Sequence, residues 1–196
     1  MGWGINRTLN IIKEMKNSVL FTLVLFLSLT LNAQKYSGKN GYIGFFSSTP
    51  VEDIKADNNQ VASIIDAATG DIVFQVLIKS FRFDKALMEE HFNENYMNSE
   101  VYPKSTFKGK IVNISQVDFA KPGVYSVLVE GEMSMHGVTN LLSTSGTIEV
   151  LKDGIVANSN FKLKPEDYKI EIPGIVRDKI AKEIELTVDV KYTKLN

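Results

Sequence analysis

The sequence has no cysteine in its 196 residues. That absence excludes disulfides, thiolate-ligated zinc, iron–sulfur clusters and a thiol nucleophile. Only two histidines, His91 and His136, are present, which leaves little from which to build an imidazole metal site. The charge is nearly balanced, with 22 basic and 23 acidic residues and a formal net charge of −1. A nucleic-acid binder usually carries a strong basic excess, so that class is disfavoured. No Gly-x-Ser-x-Gly elbow and no glycine-rich phosphate cradle occurs. Apolar residues make up 44% and charged residues 23%, ordinary values for a folded domain.

The one long apolar run lies at the start. Ten of the fourteen residues from Ser18 to Leu31 are strongly apolar, and no charge interrupts them. The run is shorter than the roughly 20 residues of a spanning helix, and its position fits the apolar core of a secretory signal peptide. Lys16 supplies the positive start, and Ala33 a small residue before polar Gln34. Met15 is then the expected true start, with residues 1–14 as an upstream extension. No cysteine follows the run, so lipoprotein attachment is excluded. Removing residues 1–33 leaves 163 residues with 19 basic and 22 acidic side chains, a net charge of −3, and no tryptophan. The domain is therefore expected over 34–196, without a transmembrane anchor and in a periplasmic or secreted location.

The remainder alternates with period two, the mark of strands with one buried face. Tyr125, Val127, Val129, Met133 and Met135 fall on one side, and Ser126, Glu130, Glu132 and Ser134 on the other. Leu128 breaks that pattern. Ile184, Leu186, Val188, Val190 and Tyr192 alternate cleanly with polar neighbours. Ile72, Phe74, Val76 and Ile78 form another apolar face. Phe81 and Phe83 have the opposite parity, so a bulge near Lys79-Ser80 is expected to return them to it. Further faces hold Phe107 with Ile111, Leu142 with Ile148 and Val150, and Ile155 with Ala157, Phe161 and Leu163.

Turn signals at residues 68–71, 121–123, 136–138 and 152–154 separate these runs. Counted from Tyr42, they give about eight strands at hairpin spacing. They read as an all-β, up-and-down antiparallel arrangement that can close into a barrel. Eight strands enclose an interior wide enough for one small ligand. One segment has helical spacing instead. Met88, Phe92 and Tyr96 recur every four residues beside Leu87, which predicts a short helix near residues 85–97, with Asp84 as its cap. A second helical turn is expected around Val176–Ile180.

The polar constellations are weak. Glu90, His91 and Glu94 share a helical turn, but without a partner motif they read as a solvated face rather than a metal site. His136-Gly137-Val138-Thr139 reads first as a turn, with a contact to a ligand headgroup as the alternative. The inward face is apolar or small, with four methionines, Gly109, Gly131, Gly146 and Ala157. It describes equally a core filled by its own side chains and a pocket with unfilled volume.

Two stretches carry a family resemblance. Leu87-Met88-Glu89-Glu90-His91-Phe92-Asn93-Glu94-Asn95-Tyr96-Met97 precedes Tyr102-Pro103-Lys104-Ser105-Thr106-Phe107, and Met135-His136-Gly137-Val138-Thr139 follows. In content, order and separation they resemble the YceI-like family over about residues 40–193. The early strand Ile43-Gly44-Phe45-Phe46-Ser47-Ser48-Thr49-Pro50 departs from many members, which carry histidines there.

The resemblance implies an extended, eight-stranded, antiparallel lipocalin-like barrel in a periplasmic or secreted protein, in a family whose best-understood members hold a polyisoprenoid chain inside the barrel. On that reading the protein is not an enzyme and needs no cofactor and no metal. Its partner is an isoprenoid or another long-chain lipid, and its oligomeric state is open, a homodimer included. The expected cavity wall is Phe74, Val76, Ile78, Phe81, Phe107, Val127, Val129, Met133, Met135 and Phe161, and Leu87, Met88 and Phe92 form a lid or plug. Two other readings are a secreted interaction module with a filled core, and an enzyme acting on an apolar substrate. The signal-peptide reading predicts that intact-mass analysis of the exported protein finds a chain beginning at or next to Gln34. Recovery of residues 1–33 in the exported form would refute it.

Overall fold

The computed structural model describes residues 34–195, so the expected signal peptide and the start at Met15 lie outside the described residues. Among the described residues no helix is long and apolar enough to cross a membrane. Nine strands form one sheet: β1 (Lys35–Ser48), β2 (Asp53–Asp66), β3 (Asp71–Leu77), β4 (Arg82–Phe83), β5 (Lys104–Ile111), β6 (Gly123–Met135), β7 (Val138–Leu151), β8 (Gly154–Leu163) and β9 (Ile184–Lys194). All pairings are antiparallel. β1 pairs with β2 on one side and β9 on the other, which closes the sheet. The two-residue β4 is an appendage on β2, so the closed ring has the eight strands expected.

Side-chain alternation follows the sequence pattern closely. On β3, Ile72, Val76 and the following Ile78 are buried, whereas Val73 and Leu77 are exposed. On β9, Val188, Val190 and Tyr192 face inward, and on β6 Leu128 sits on the outside. Burial of such a face is the main source of stability, at about 25 cal/mol per Å² of apolar area removed from water.

Four expectations are corrected in detail. The first strand begins at Lys35, not Tyr42. Its early part is rich in glycine and polar residues, and register shifts between Gly38 and Ile43 break its periodicity. No bulge forms near Lys79-Ser80. Instead β3 ends at Leu77, whose carbonyl accepts a hydrogen bond from Asn58 Nδ2 at 2.9 Å, and Ile78–Ser80 makes a 3-10 turn. Asn58 is fully buried, and this bond lets the ladder end early while Phe81 still turns inward, 6% exposed. Asp84 does not cap the helix. α1 spans Ala86–His91, with Lys85 before its first turn and no side-chain cap, and it continues as a π-helical stretch over Phe92–Tyr96. Glu89 serves that end instead, accepting from Arg82 Nη1 at 2.8 Å and from the Phe83 amide at 3.3 Å. The second turn is a 3-10 turn at Gly174–Val176, two residues earlier than expected, because Pro173 presets its start.

The two ends of the barrel differ. Hairpin turns join β2 to β3 and β7 to β8 at one end, where Tyr36, Ile65, Ile155, Val190 and Tyr192 form a solid core. Tyr36 stacks on Phe119 at 5.6 Å between ring centres, and Tyr192 shares a 2.7 Å hydrogen bond with Ser63. At the other end lie the two long connections, residues 78–103 between β3 and β5 and 164–183 between β8 and β9. The β6–β7 hairpin there turns on His136 and Gly137, both at positive φ (52° and 75°), the backbone of a tight two-residue loop.

On the sheet surface, the Tyr42 hydroxyl donates to Asp57 Oδ1 at 2.6 Å, joining β1 to β2. This bond, together with Lys55 and against an opposing effect of burial, holds the Asp57 carboxyl below its usual range. The same bond pushes the Tyr42 hydroxyl up to about 12. A carboxylate with a lowered native pKa adds stability that is present above its unfolded value and drains as pH falls through the lowered one. A phenol with a raised native pKa adds stability that is present below about 10 and drains between about 10 and about 12. Urea unfolding across pH is therefore expected to show both limbs, and Tyr42→Phe should flatten them. An unchanged profile in the variant would remove this contact from the pH dependence.

Candidate functional site

The barrel is hollow in its middle and toward the end with the long connections. An inner chamber of about 110 Å³ is walled by residues from β1 to β9 such as Phe74, Phe107, Val127, Val129, Leu142 and Phe161. An outer chamber of about 500 Å³ lies between the strand ends, α1 and the 164–183 connection. The two share a collar of Ile43, Val76, Ser105, Met133 and Leu186. The outer volume falls in the range of about 300–1,000 Å³ typical of small-molecule sites. The inner one is somewhat smaller than the roughly 150 Å³ engineered cavity that stays dry and admits benzene.

The strand pattern explains why these side chains converge. Inward positions of adjacent strands stand directly opposite one another: Val76 faces Ser105, Phe74 faces Phe107, and Phe107 faces Met133. The last two pairs each place two apolar groups on one level of the barrel, and the first sets Val76 against the small Ser105. Phe107 meets Phe74 edge-on, with ring centres 6.5 Å apart.

Every expected wall residue lines a chamber. Phe74, Phe107, Val127, Val129 and Phe161 line the inner one, Ile78, Phe81 and Met135 the outer, and Val76 and Met133 both. Leu87, Met88 and Phe92 line the outer chamber. Small inward residues contribute less space than their size suggests. Gly109 and Gly131 pair across β5 and β6, and the Phe107 ring lies over them, so a Cβ added at either would sit within 2.8 Å of its Cζ. The wall also includes Phe45, Ile43 and Leu186 from β1 and β9, and Ile170, Ile172 and Val176 from the last connection. Their alternation marks Ile43, Phe45 and Leu186 as inward. In the irregular 164–183 stretch the alternation of Tyr168, Ile170 and Ile172 with Lys169 and Glu171 is the one local signal, and it is too short to mark the stretch as a cavity wall.

Phe92 also anchors the helix. Its ring lies 5.1 Å from Phe83 and 5.5 Å from both Phe45 and Phe81, so four aromatic rings pin the π-helical stretch against the strands. Lys85 adds a 3.1 Å ion pair with Glu52 on the β1–β2 loop. Leu87, by contrast, is 60% exposed at the rim.

His136 does not line either chamber. Its Nδ1 donates to the Tyr168 carbonyl at 3.0 Å, and its ring packs edge-on to Tyr102 at 4.8 Å. Asn140 Nδ2 donates to the Asp167 carbonyl at 2.6 Å. These bonds tie the β6–β7 hairpin to the 164–183 connection, so the turn reading of His136-Gly137-Val138-Thr139 describes it and the headgroup reading does not. Tyr168 is buried, which pushes its hydroxyl up, with the nearby Asp167 adding to the effect. Glu90, His91 and Glu94 are all exposed, and among the described residues no group of three His, Asp or Glu side chains is placed to hold a metal ion.

The YceI-like domain model matches residues 29–192. The chain belongs to the YceI-like family. Solved structures agree on the fold of this YceI-like protein. A polyisoprenoid-binding domain from Saccharophagus degradans, implicated in plant cell wall breakdown, superposes with a TM-score of 0.72 at 14% identity, covering 83% of this chain and 99% of that one. BcnA of Burkholderia cenocepacia gives 0.64 at 11% identity, over 77% and 95%. A YceI protein of Campylobacter jejuni gives 0.55 at 15% identity, over 72% and 84%. A comparison with curated proteins found no match.

The aromatic cluster predicts the cost of loosening the mouth. Removing a large buried aromatic costs about 3–5 kcal/mol, and the partial exposure of Phe92 puts Phe92→Ala near the bottom of that range. The variant should also be cleaved faster by protease between residues 84 and 102, while the strands stay intact by circular dichroism. Wild-type stability and cleavage in this variant would show that the cluster does not hold the helix.

Proposed function

We propose that this protein is an exported, non-enzymatic carrier that holds a polyisoprenoid or a similar amphipathic lipid in its barrel. The observation that carries the reading is the adjacency of the two largely apolar chambers, which share the lining residues Ile43, Val76, Ser105, Met133 and Leu186 between a mouth beside α1 and the middle of the barrel. On this reading a long apolar chain extends through the outer chamber toward the inner one, with its polar end left at the mouth among Lys85, Lys179 and Glu52. The Saccharophagus domain, of the same fold, binds a polyisoprenoid. The apolar segment Ser18–Leu31 supports export.

Affinity on this reading comes from burying the chain's apolar surface, about 25 cal/mol per Å² before the costs of ordering it. Met133, Met135, Met88 and Met97 line the outer chamber, and methionine walls adapt to chains of varied shape. No residue acts as acid, base or nucleophile. The inner chamber is lined by hydrocarbon, a few hydroxyls and Asn158, with no titratable side chain.

Gentle purification of the exported protein, followed by native mass spectrometry and lipid extraction, should give one bound lipid per chain. Met133→Trp places a large ring at the collar. It is expected to lower lipid occupancy about tenfold while costing stability by about 1–3 kcal/mol, the usual range for overpacking. A protein that yields no lipid and takes up none from polyprenol-containing micelles would overturn the reading.

A further inference from the structure

Among the described residues, two buried side-chain polar atoms have no hydrogen-bond partner, Asn93 Oδ1 and Ser105 Oγ. Asn93 lines a polar groove on the outer side of α1. Ser105 is inside the barrel. It is 6% exposed, stands opposite Val76 on β3, and belongs to the walls of both chambers. The rest of the collar, Ile43, Val76, Met133 and Leu186, offers its hydroxyl no side-chain oxygen or nitrogen.

The other inward hydroxyls are satisfied. Ser159 Oγ donates to the Ser145 carbonyl at 2.7 Å and lies 3.3 Å from Thr144 Oγ1. Ser63 bonds Tyr192, and Ser47 Oγ accepts from the Ala181 amide at 2.9 Å. A buried hydroxyl without a partner is disfavoured against an apolar side chain of similar size. Such groups in native proteins call for an explanation, commonly a water, an ion or a functional contact. Ser105 sits where a chain passing from the mouth inward must touch it.

We propose that Ser105 Oγ is a hydrogen-bond anchor for the cavity's ligand, and that this ligand carries an acceptor oxygen of the carbonyl class in its buried part. The proposal rests on the lipid-carrier reading above and narrows its ligand. A carbonyl takes the Ser105 proton and brings no donor of its own into apolar surroundings. A hydroxyl in its place would leave one proton unpaired, and a pure hydrocarbon would leave Ser105 as it is. The inner chamber is smaller than one that admits benzene, so only a short apolar end extends past the oxygen.

The test uses fatty acids of one chain length that bear a single keto group at different positions, beside the parent saturated acid. Binding is read by displacement of an environment-sensitive fluorophore from the barrel domain. In the wild type, one keto position near the methyl end should bind about five- to tenfold tighter than the parent, the usual net worth of one hydrogen bond. Ser105→Ala should lose that preference, binding the keto acids and the parent acid alike, and Ser105→Thr should keep it. Equal binding of all the keto acids and the parent by the wild type overturns the anchor and leaves the lipid-carrier reading standing; that series needs no variant to fold. Retention of the preference by Ser105→Ala also overturns it, as does a crystal structure of a keto-acid complex with a water still held on Ser105. If no acid binds the wild type, the anchor is overturned, while the carrier reading stands or falls on the lipid extraction and polyprenol uptake above.

Discussion

Closure of the sheet through β1 is the constraint on which the rest depends. β1 is held by β2 along one edge and by β9 along the other, so neither β2 nor β9 is left with a free row of amides and carbonyls. Closure fixes the strand number at eight, and strand number fixes the width of the interior. That width exceeds what the inward side chains fill near the mouth and matches it at the opposite end. The bulged register of β1 and β2 around Gly41 and Asn58 belongs to the same event, since a strand shared by two neighbours must bend to meet both.

A protein of this size has to be solid somewhere to afford being hollow elsewhere. Tyr36, Tyr192, Ile65 and Ile155, all at or near full burial, make the closed end dense. An empty chamber forfeits the dispersion contacts its lining would otherwise make. Phe107 limits that loss by folding its ring over Gly109 and Gly131, so two residues without side chains still have a packed surface above them. The mouth is stiffened differently, by aromatic packing around Phe92 and by backbone carbonyls bound from His136 and Asn140. Rigidity at both ends leaves the middle free to differ from a filled core.

Much of this was legible in the sequence because a strand in a closed barrel has only two faces. Val76 and Phe107 had to point inward once Gln75 and Lys108 pointed out, and the outward Leu128 cost nothing to leave in water. Where the backbone departs from a plain strand, parity stopped working. The 3-10 turn after Leu77 depends on a carbonyl captured by Asn58, nineteen residues earlier, and no local pattern encodes that bond. The start of β1 was hidden by glycines and polar residues that follow no period. The 164–183 connection lines the outer chamber through tertiary bonds to His136 and Asn140; Tyr168, Ile170 and Ile172 alternate with Lys169 and Glu171, but the stretch pairs with no strand, so that short alternation does not place it on the chamber. The hydroxyl of Ser105 could be read as a small inward residue, but its lack of a partner emerges only when its neighbours are in place.

The first and last strands run antiparallel, with Tyr36 beside Lys194 and the Leu195 amide donating to the Lys35 carbonyl at 2.8 Å. Both ends of the barrel's chain therefore leave from the closed end. Tension applied through them would load the β1–β9 ladder at its terminal rungs and part them one after another, like a zip, rather than shearing the whole row together. Mechanically, the barrel's weak axis starts at its densest end and reaches the chambers last.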